Sequence, residues 1–569
     1  MRFRHLAVFA LAAGFAVLVG DFGTAEAGFL QKKGKKAKKA DPAPPPAAPR
    51  SEPVVVKPAA LPLPTVVAVP RTKDAAALAR LIDAEVRAKL AAAKVEPSAG
   101  CSDDEYLRRA SLDIAGVIPS ADKAREFLDS KDPHKREKLI DELLADANYG
   151  RRMADIWTAK LFPTDSANRF VLKEPFYKWF AEQFHSNVAW DKLVTSIVTA
   201  TGTVEQNPAT TYFLANRAID KLTDTTAQHF MGIQLQCAQC HNHPFTEWKQ
   251  TEYWGMAAFY SKVRADNPKN ANKGGDNTKI GVVESPRPSK QKDFLPESAK
   301  TVPARFLGGA EPRLSPADEY RPVLAKWMTA PENPFFSRAI VNRTWAHLFG
   351  RGFVNPIDDM LEENTPSHPE LLDALARHFA TAGGYDLKYL IKAICLSETY
   401  QRTSRPTATN KSDAKLFSHM TMKVMTPEQL FDSLAQVTGN AGGRGMGKAA
   451  KGGGPKGGPV GARAQFVNFF LAGSDSTSPV DYEAGIPQAL RLMNSPVANN
   501  PAAVRHVLGS AKAPAEAIER IYLAALSRRP TPGEMTMLTE YVAKADAATT
   551  AYGDILWAAL NSSEFTLIR

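Results

Sequence analysis

Two cysteines three apart, with one histidine directly behind the second and another two places on, stand in the stretch QLQCAQCHNHPF, residues 234–245. The chain holds only four cysteines in 569 residues, so half of its thiols are spent on this one turn. Cys237, Cys240 and His241 have the spacing of a c-type haem attachment site. Two thiols at this separation reach the two vinyl groups of one porphyrin, and the adjacent imidazole can turn under the iron as an axial ligand. Other chemistry uses the same atoms. Cys237, Cys240, His241 and His243 are thiols and imidazoles of the kind that hold Zn²⁺, although four ligands within one short run demand a tight knuckle. The two cysteines can also close a disulfide or act as a redox dithiol. The cofactor reading is thus haem c, with zinc or no cofactor as the alternatives.

A haem would leave its sixth ligand open among His229, Met231, Met256 and His185. Behind the motif, Trp248, Tyr253, Trp254, Phe259 and Tyr260 form an aromatic run. It suits either a cofactor wall or, as the default, apolar core. A second cluster, NPIDDMLEENTPSHPELLD, gathers Asp358, Asp359, Glu362 and Glu363 with His368 nearby. Paired carboxylates serve glycoside hydrolysis when held at the right separation, but an acidic stretch at a helix start is the simpler reading. Arg343 and Arg351 are placed to pair with it. No phosphate-loop, nucleophile-elbow or zinc-protease motif occurs. No catalytic residue is assigned, and whether the chain is an enzyme stays open. Cys101 and Cys395 read as buried small residues, or as a disulfide if folding joins them.

The elements that must position these residues read as mainly α, a multi-helical two-domain protein with a long polar excursion and a disordered N-terminal tether. Residues 74–93 carry apolar positions at helical spacing. Ser102 with Glu105, Ser367 with Glu370, Thr426-Pro427 with Gln429, and Thr531-Pro532 with Glu534 read as capped helix starts. Asp132 with Pro133 opens another helix, whose Leu139, Ile140, Leu143 and Leu144 form one apolar face. The expected organisation is a signal peptide over 1–27, a Lys/Pro-rich tether over 28–73, a helical domain over 74–264, a polar excursion over 265–312, and a helical C-terminal domain over 313–569. The excursion is expected to hold a strand pair near 280–283 and 301–304. The C-terminal domain contains a Gly-rich loop over 440–463.

The first 27 residues have a basic start, an apolar run too short to span a bilayer comfortably, and Ala25-Glu26-Ala27 as a cleavage pattern. The chain is therefore expected to be exported, to the periplasm, cell surface or medium, with no transmembrane helix after signal removal. The formal net charge of +11 does not indicate nucleic acid. Residues 28–73 carry +8 and residues 441–463 carry +5, leaving the folded bodies near neutral. Specific nucleic-acid binding is excluded on this reading, while the basic tether can touch an anionic envelope surface. The partners expected are a redox partner or an extracellular polymer.

CSDDEYLRRASLDIAGVIPSADKAREFL, KREKLIDELLADANYGRRMADIW and CAQCHNHPFTEWKQTEYWGMAAFY resemble the planctomycete cytochrome-like domain, domain of unknown function fifteen-forty-nine. NPFFSRAIVNRTWAHLFGRGFVNPIDDMLEENTPSHPELLDALARHF, GYDLKYLIKAICLSETYQRTS and the closing IYLAALSRRPTPGEM region resemble its usual C-terminal partner, domain of unknown function fifteen-fifty-three. The resemblance covers nearly everything from about residue 75 onward. It implies an exported protein of unestablished activity. Cys237, Cys240, His241, His243, Pro244 and Phe245 fall on the family's Cys-His signature. Many relatives carry a second Cys pair, Cys-Glu-Cys-Glu-Arg, ahead of the QALRLMN stretch. This chain reads GSDSTSPVDYEAGIPQALRLMN there, which argues against a shared four-thiol site.

Overall fold

Helices dominate because most of the apolar runs repeat at helical spacing and are punctuated by caps. The computed structural model describes residues 67–162, 171–266, 277–285, 302–309, 311–361, 363–439, 461–471, 490, 492–494 and 500–569, all within one compact unit, Val55–Arg569. The expected signal peptide, most of the tether and most of the Gly-rich loop lie outside the described residues. The chain is mainly α, and among the described residues its strands are short. The end of the tether is described: Pro70 accepts from His378 Nδ1 at 3.1 Å, and Lys73 pairs with Asp386 at 2.5 Å.

The first helix, Ala75–Ala93, starts where Asp74 accepts from the Ala77 N–H at 3.0 Å. Its buried stripe of Leu78, Ile82, Val86 and Leu90 packs on the helix Leu387–Leu396. The capping boxes at Thr426/Gln429 and Thr531/Glu534 form as expected. Three other starts differ. Ser102 precedes the helix Asp103–Ala110 but makes no side-chain cap. Its expected partner, Glu105, is buried and is used in tertiary contacts instead: it pairs with Arg109 at 2.7 Å and accepts from Thr403 Oγ1 and the Ser404 N–H. The helix Lys135–Ala145 begins two residues beyond Pro133, because Asp132 caps a turn by accepting from the His134 N–H at 2.8 Å. Ser367 is not the cap of Pro369–Ala380 either. His368 occupies that position, and the Ser367 hydroxyl meets the His368 ring at 3.0 Å.

Among the described residues the excursion holds the strand Gly281–Glu284 and the end of Val263–Asp266, and 302–304 are not paired with either. Gly281–Glu284 lies antiparallel to Val263–Asp266 on one side and to Gly202–Thr203 on the other. Its register pairs Val282 with Ala265 and with Gly202. Residues 302–304 form no strand, so the expected pairing partner was wrong. One partner is supplied by the chain just after the helix that carries Trp254, and the other, Gly202–Thr203, comes from well before that helix.

One buried apolar cluster runs through both expected helical segments. At its centre Trp157 meets Trp190 with ring centroids 4.6 Å apart, and Trp190 stacks on Phe336 at 6.3 Å. A second cluster gathers Met425, Leu430, Ile518, Leu556 and Phe565, with Leu112 and Ile118 reaching in from the first segment. Buried cations lock these parts together. Arg108 donates to the Ala525 and Phe565 carbonyls, and Arg109 to the Tyr400, Arg402 and Arg569 carbonyls. Asp113 sits in a widened turn, Ser111–Ala115, and receives both Lys423 Nζ at 2.5 Å and the Tyr400 hydroxyl at 2.9 Å. Groups as deeply buried as these are tolerated only when hydrogen-bonded.

Candidate functional site: a fastened Cys-His loop

The Cys-His loop follows directly from a helix end. The helix Ile219–Met231 carries His229 in its last turn and stops at Gly232, whose φ of +70° is a conformation that glycine takes at little cost. A Cβ there would also meet Met360 Sδ at 3.2 Å. The Met360 N–H donates to the Gly232 carbonyl at 2.8 Å, tying this turn to the acidic segment far along the chain. Leu235 and Ala238 are then buried as anchors, while Cys237 and Cys240 project outward from the short turn Gln236–Gln239.

The next helix, Gln250–Ala258, fastens the loop from behind. The Gln250 side-chain amide donates to the Gln239 and Cys240 carbonyls at 3.2 and 2.9 Å, and its backbone N–H donates to Asn242 Oδ1 at 3.0 Å. Trp254 Nε1–H donates to the Gln239 carbonyl at 3.0 Å, and the His243 N–H to the Trp248 carbonyl at 2.8 Å. The backbone of the motif is therefore held at several points while its two cysteines stay free. Cys237, Cys240 and His241 are exposed, and His243 is half-buried. All four cysteines carry free thiols, so Cys101 and Cys395 are buried but not joined.

His241 Nδ1 lies 2.6 Å from the Asn242 carbonyl oxygen. A carbonyl only accepts, so Nδ1 carries a proton, and in the neutral ring Nε2 presents its lone pair. That arrangement orients a ligating imidazole. Two residues beyond His243, Phe245 is 68 % exposed, the most exposed of the large apolar side chains among the described residues. Its ring stands edge-on to His243 at 6.3 Å. The other aromatics take the default role. Tyr253, Trp254, Phe259 and Tyr260 are buried core, with Tyr253 donating to Asp224 at 3.1 Å and Tyr260 sharing a hydrogen bond with Thr226 at 2.7 Å. Trp248 is half-buried against Phe335. Burial pushes the Asp224 carboxyl up to about 6.

The attachment chemistry of a c-type haem fits these residues: two accessible thiols on one turn and an imidazole with a free Nε2. The apolar cover is thinner, since Phe245 and the edge of Trp248 are what the loop itself offers. Among the described residues no group of three or more His, Cys, Asp or Glu is gathered as a metal site, so the four expected zinc ligands are not drawn together. Of the sixth-ligand candidates, Met231 and Met256 are fully buried in the core and His185 is exposed. His229 turns its Nδ1 toward Asp358 Oδ2 at 3.7 Å.

The acidic cluster does not assemble as a carboxylate pair. Asp358 forms a close ion pair with Arg343, the contact expected for that arginine. Burial raises the Asp358 carboxyl, but Arg343 and the His229 contact outweigh it and hold it well below the usual range. Asp359 accepts from Asn364 at 2.7 Å, Glu363 is exposed, and Glu362 lies outside the described residues. The junction of His229 with Arg343 and Asp358 was not foreseen. Pairing over such a separation leaves no local trace in sequence.

No described helix is long and apolar enough to cross a membrane. The family model described as PSCyt2, a protein of unknown function (DUF1549), matches residues 81–265, and that described as PSD1, a protein of unknown function (DUF1553), matches residues 320–456. No curated protein and no solved structure matches the chain. The chain belongs to the proteins that carry these two domains of unknown function in this order.

Proposed function

We propose that this is an exported c-type haem protein in which Cys237 and Cys240 hold the porphyrin covalently and His241 ligates the iron. The observation that carries the reading is the state of the loop. Both thiols are free and exposed, and the His241 ring is pinned through Nδ1 with Nε2 left to bind. Cys237 and Cys240 would supply the two thiols for thioether links to the vinyl groups, an addition that would need no external oxidant. A bound haem supplies one-electron transfer or small-ligand binding. Gln250 and Trp254 keep the loop backbone fixed, and Phe245 offers an apolar ring that otherwise faces water. The export signal read in the first 27 residues is consistent, because c-type haem attachment takes place outside the cytoplasm.

The test is expression with export and haem-attachment machinery, followed by a haem stain on a denaturing gel. A stained band that is lost on changing Cys237 and Cys240 together supports the reading. An unstained band from well-folded protein overturns it.

The exposure of both sulfurs favours one other reading: a non-haem envelope protein in which the loop is a disulfide or metal clasp and the helical body binds or degrades an extracellular polymer. Thiol counting under oxidising conditions and metal analysis of the purified chain separate these clasps.

A further inference from the structure

Arg343 is a buried cation with only part of its hydrogen-bonding capacity used. It lies in the helix Phe336–Phe349 and its side chain is 5 % exposed. One terminal nitrogen, Nη2, pairs with Asp358, and the flat of the guanidinium lies over the Trp157 ring with 5.1 Å to the centroid. Its Nε and Nη1 are buried without a hydrogen-bond partner, and His229 Nδ1 beside it has only the long 3.7 Å approach to Asp358 Oδ2. An unpaired buried donor costs about 1–3 kcal/mol, more on a charged group, and such donors in native proteins are normally met by water, an ion or a ligand. Two unmet N–H positions on one buried guanidinium, next to an imidazole that is only loosely engaged, therefore mark this cluster as a candidate binding site.

The chemistry of the missing group follows from what surrounds it. A guanidinium edge calls for an acceptor, and a planar or tetrahedral oxyanion can take two N–H donors at once. The charge balance agrees. Lys160 adds a second positive charge to the field acting on both His229 and Asp358, while Asp358 is already committed to Arg343. His229 and Asp358 retain 13 % and 14 % side-chain exposure, so the edge of the cluster touches solvent. A cation or a neutral apolar ligand would leave the donors unmet.

We infer that Arg343 and His229, steadied by Asp358 and Trp157, form a binding site for a small oxyanion: a carboxylate, phosphate or sulfate group, free or carried on a larger ligand. The site joins the two family domains, since His229 comes from the first and Arg343 and Asp358 from the second. It also lies one helical turn from the Gly232–Met360 contact that leads into the Cys-His loop. It does not depend on haem.

The experiment uses the full chain without its leader. Thermal unfolding and titration calorimetry are run with inorganic phosphate, sulfate and acetate against chloride at matched ionic strength. At least one oxyanion is expected to bind saturably and raise the midpoint. Comparing the three ranks tetrahedral against planar anions. Arg343→Lys keeps the charge and loses the planar edge, and is expected to bind about tenfold more weakly, the loss of one charge-assisted pair. His229→Leu is expected to weaken binding severalfold. Asp358→Asn removes a competing negative charge and is expected to tighten it. If Arg343→Lys fails to fold, the His229 and Asp358 variants decide the matter. A wild-type chain with no saturable response beyond chloride means the donors are met by water and overturns the inference. So does binding that none of the folded variants alters.

Discussion

His241 Nδ1 meets the carbonyl oxygen of the very next residue, Asn242, at 2.6 Å, so the ring is held by the loop that carries it and its Nε2 is turned to use. The same loop is pinned from behind by Gln250, whose amide reaches the Gln239 and Cys240 carbonyls. Replacing Gln250 with Ala removes both bonds and is expected to cost about 1 kcal/mol. The effect should be local. Amide exchange across residues 237–248 should quicken while the rest of the helical body stays protected. Uniform quickening would show that the loop is not separately fastened.

Arg343 and Asp358 make the strongest single test of the buried ion pair within the second family domain. Asp358→Ala leaves a buried guanidinium with no counter-charge and is expected to destabilise by about 3–5 kcal/mol. The double change of Arg343→Leu with Asp358→Ala should cost clearly less than the sum of the two single changes, as read from denaturant midpoints. Simple additivity would contradict the pairing.

Acid should weaken the fold before carboxylate protonation dominates. Burial lowers His368 to about 4, and also lowers His229, His347 and His378. The unfolded chain then binds protons below about pH 6.5 that the folded chain refuses. Stability is full above that value and falls as pH drops toward 4, by at most about 3 kcal/mol from His368 alone. His368 packs against Phe353 and Phe417 with its Nε2 unpartnered. His368→Phe should therefore flatten the slope of stability against pH between 4 and 6.5. An unchanged slope would sink this assignment.

Asp224 gives the opposite signature. Its carboxyl is raised to about 6 by burial, so the folded state carries a cost above that pH and none below about 4. Asp224→Asn keeps an acceptor for the Tyr253 hydroxyl and removes the charge. It should stabilise the protein by up to about 3 kcal/mol at pH 8 and by little at pH 4. Equal effects at both pH values would contradict it.

These elements also show what could be read from sequence. The capping boxes at Thr426 and Thr531 were legible because both partners lie within one turn. The box at Ser102 was not, because Glu105 is taken by Arg109, Thr403 and Ser404, and Thr403 and Ser404 arrive from far along the chain. The strand Gly281–Glu284 was visible as an apolar run, but its partners depended on where the chain folds back. The Cys-His motif was plain from spacing. Its exposure, and the hold that Gln250 and Trp254 keep on it, come from packing. Arg343 with Asp358 was within reach because they are neighbours in sequence, whereas His229 joins them only in the fold.

The central claim is a covalent porphyrin on Cys237 and Cys240. Intact mass of the exported chain, made beside haem-attachment machinery, tests it most directly. The account predicts the mass of the processed polypeptide plus one haem, and loss of that increment when both cysteines are changed to Ala. A colourless chain of unmodified mass, with both thiols still free to react, would contradict it.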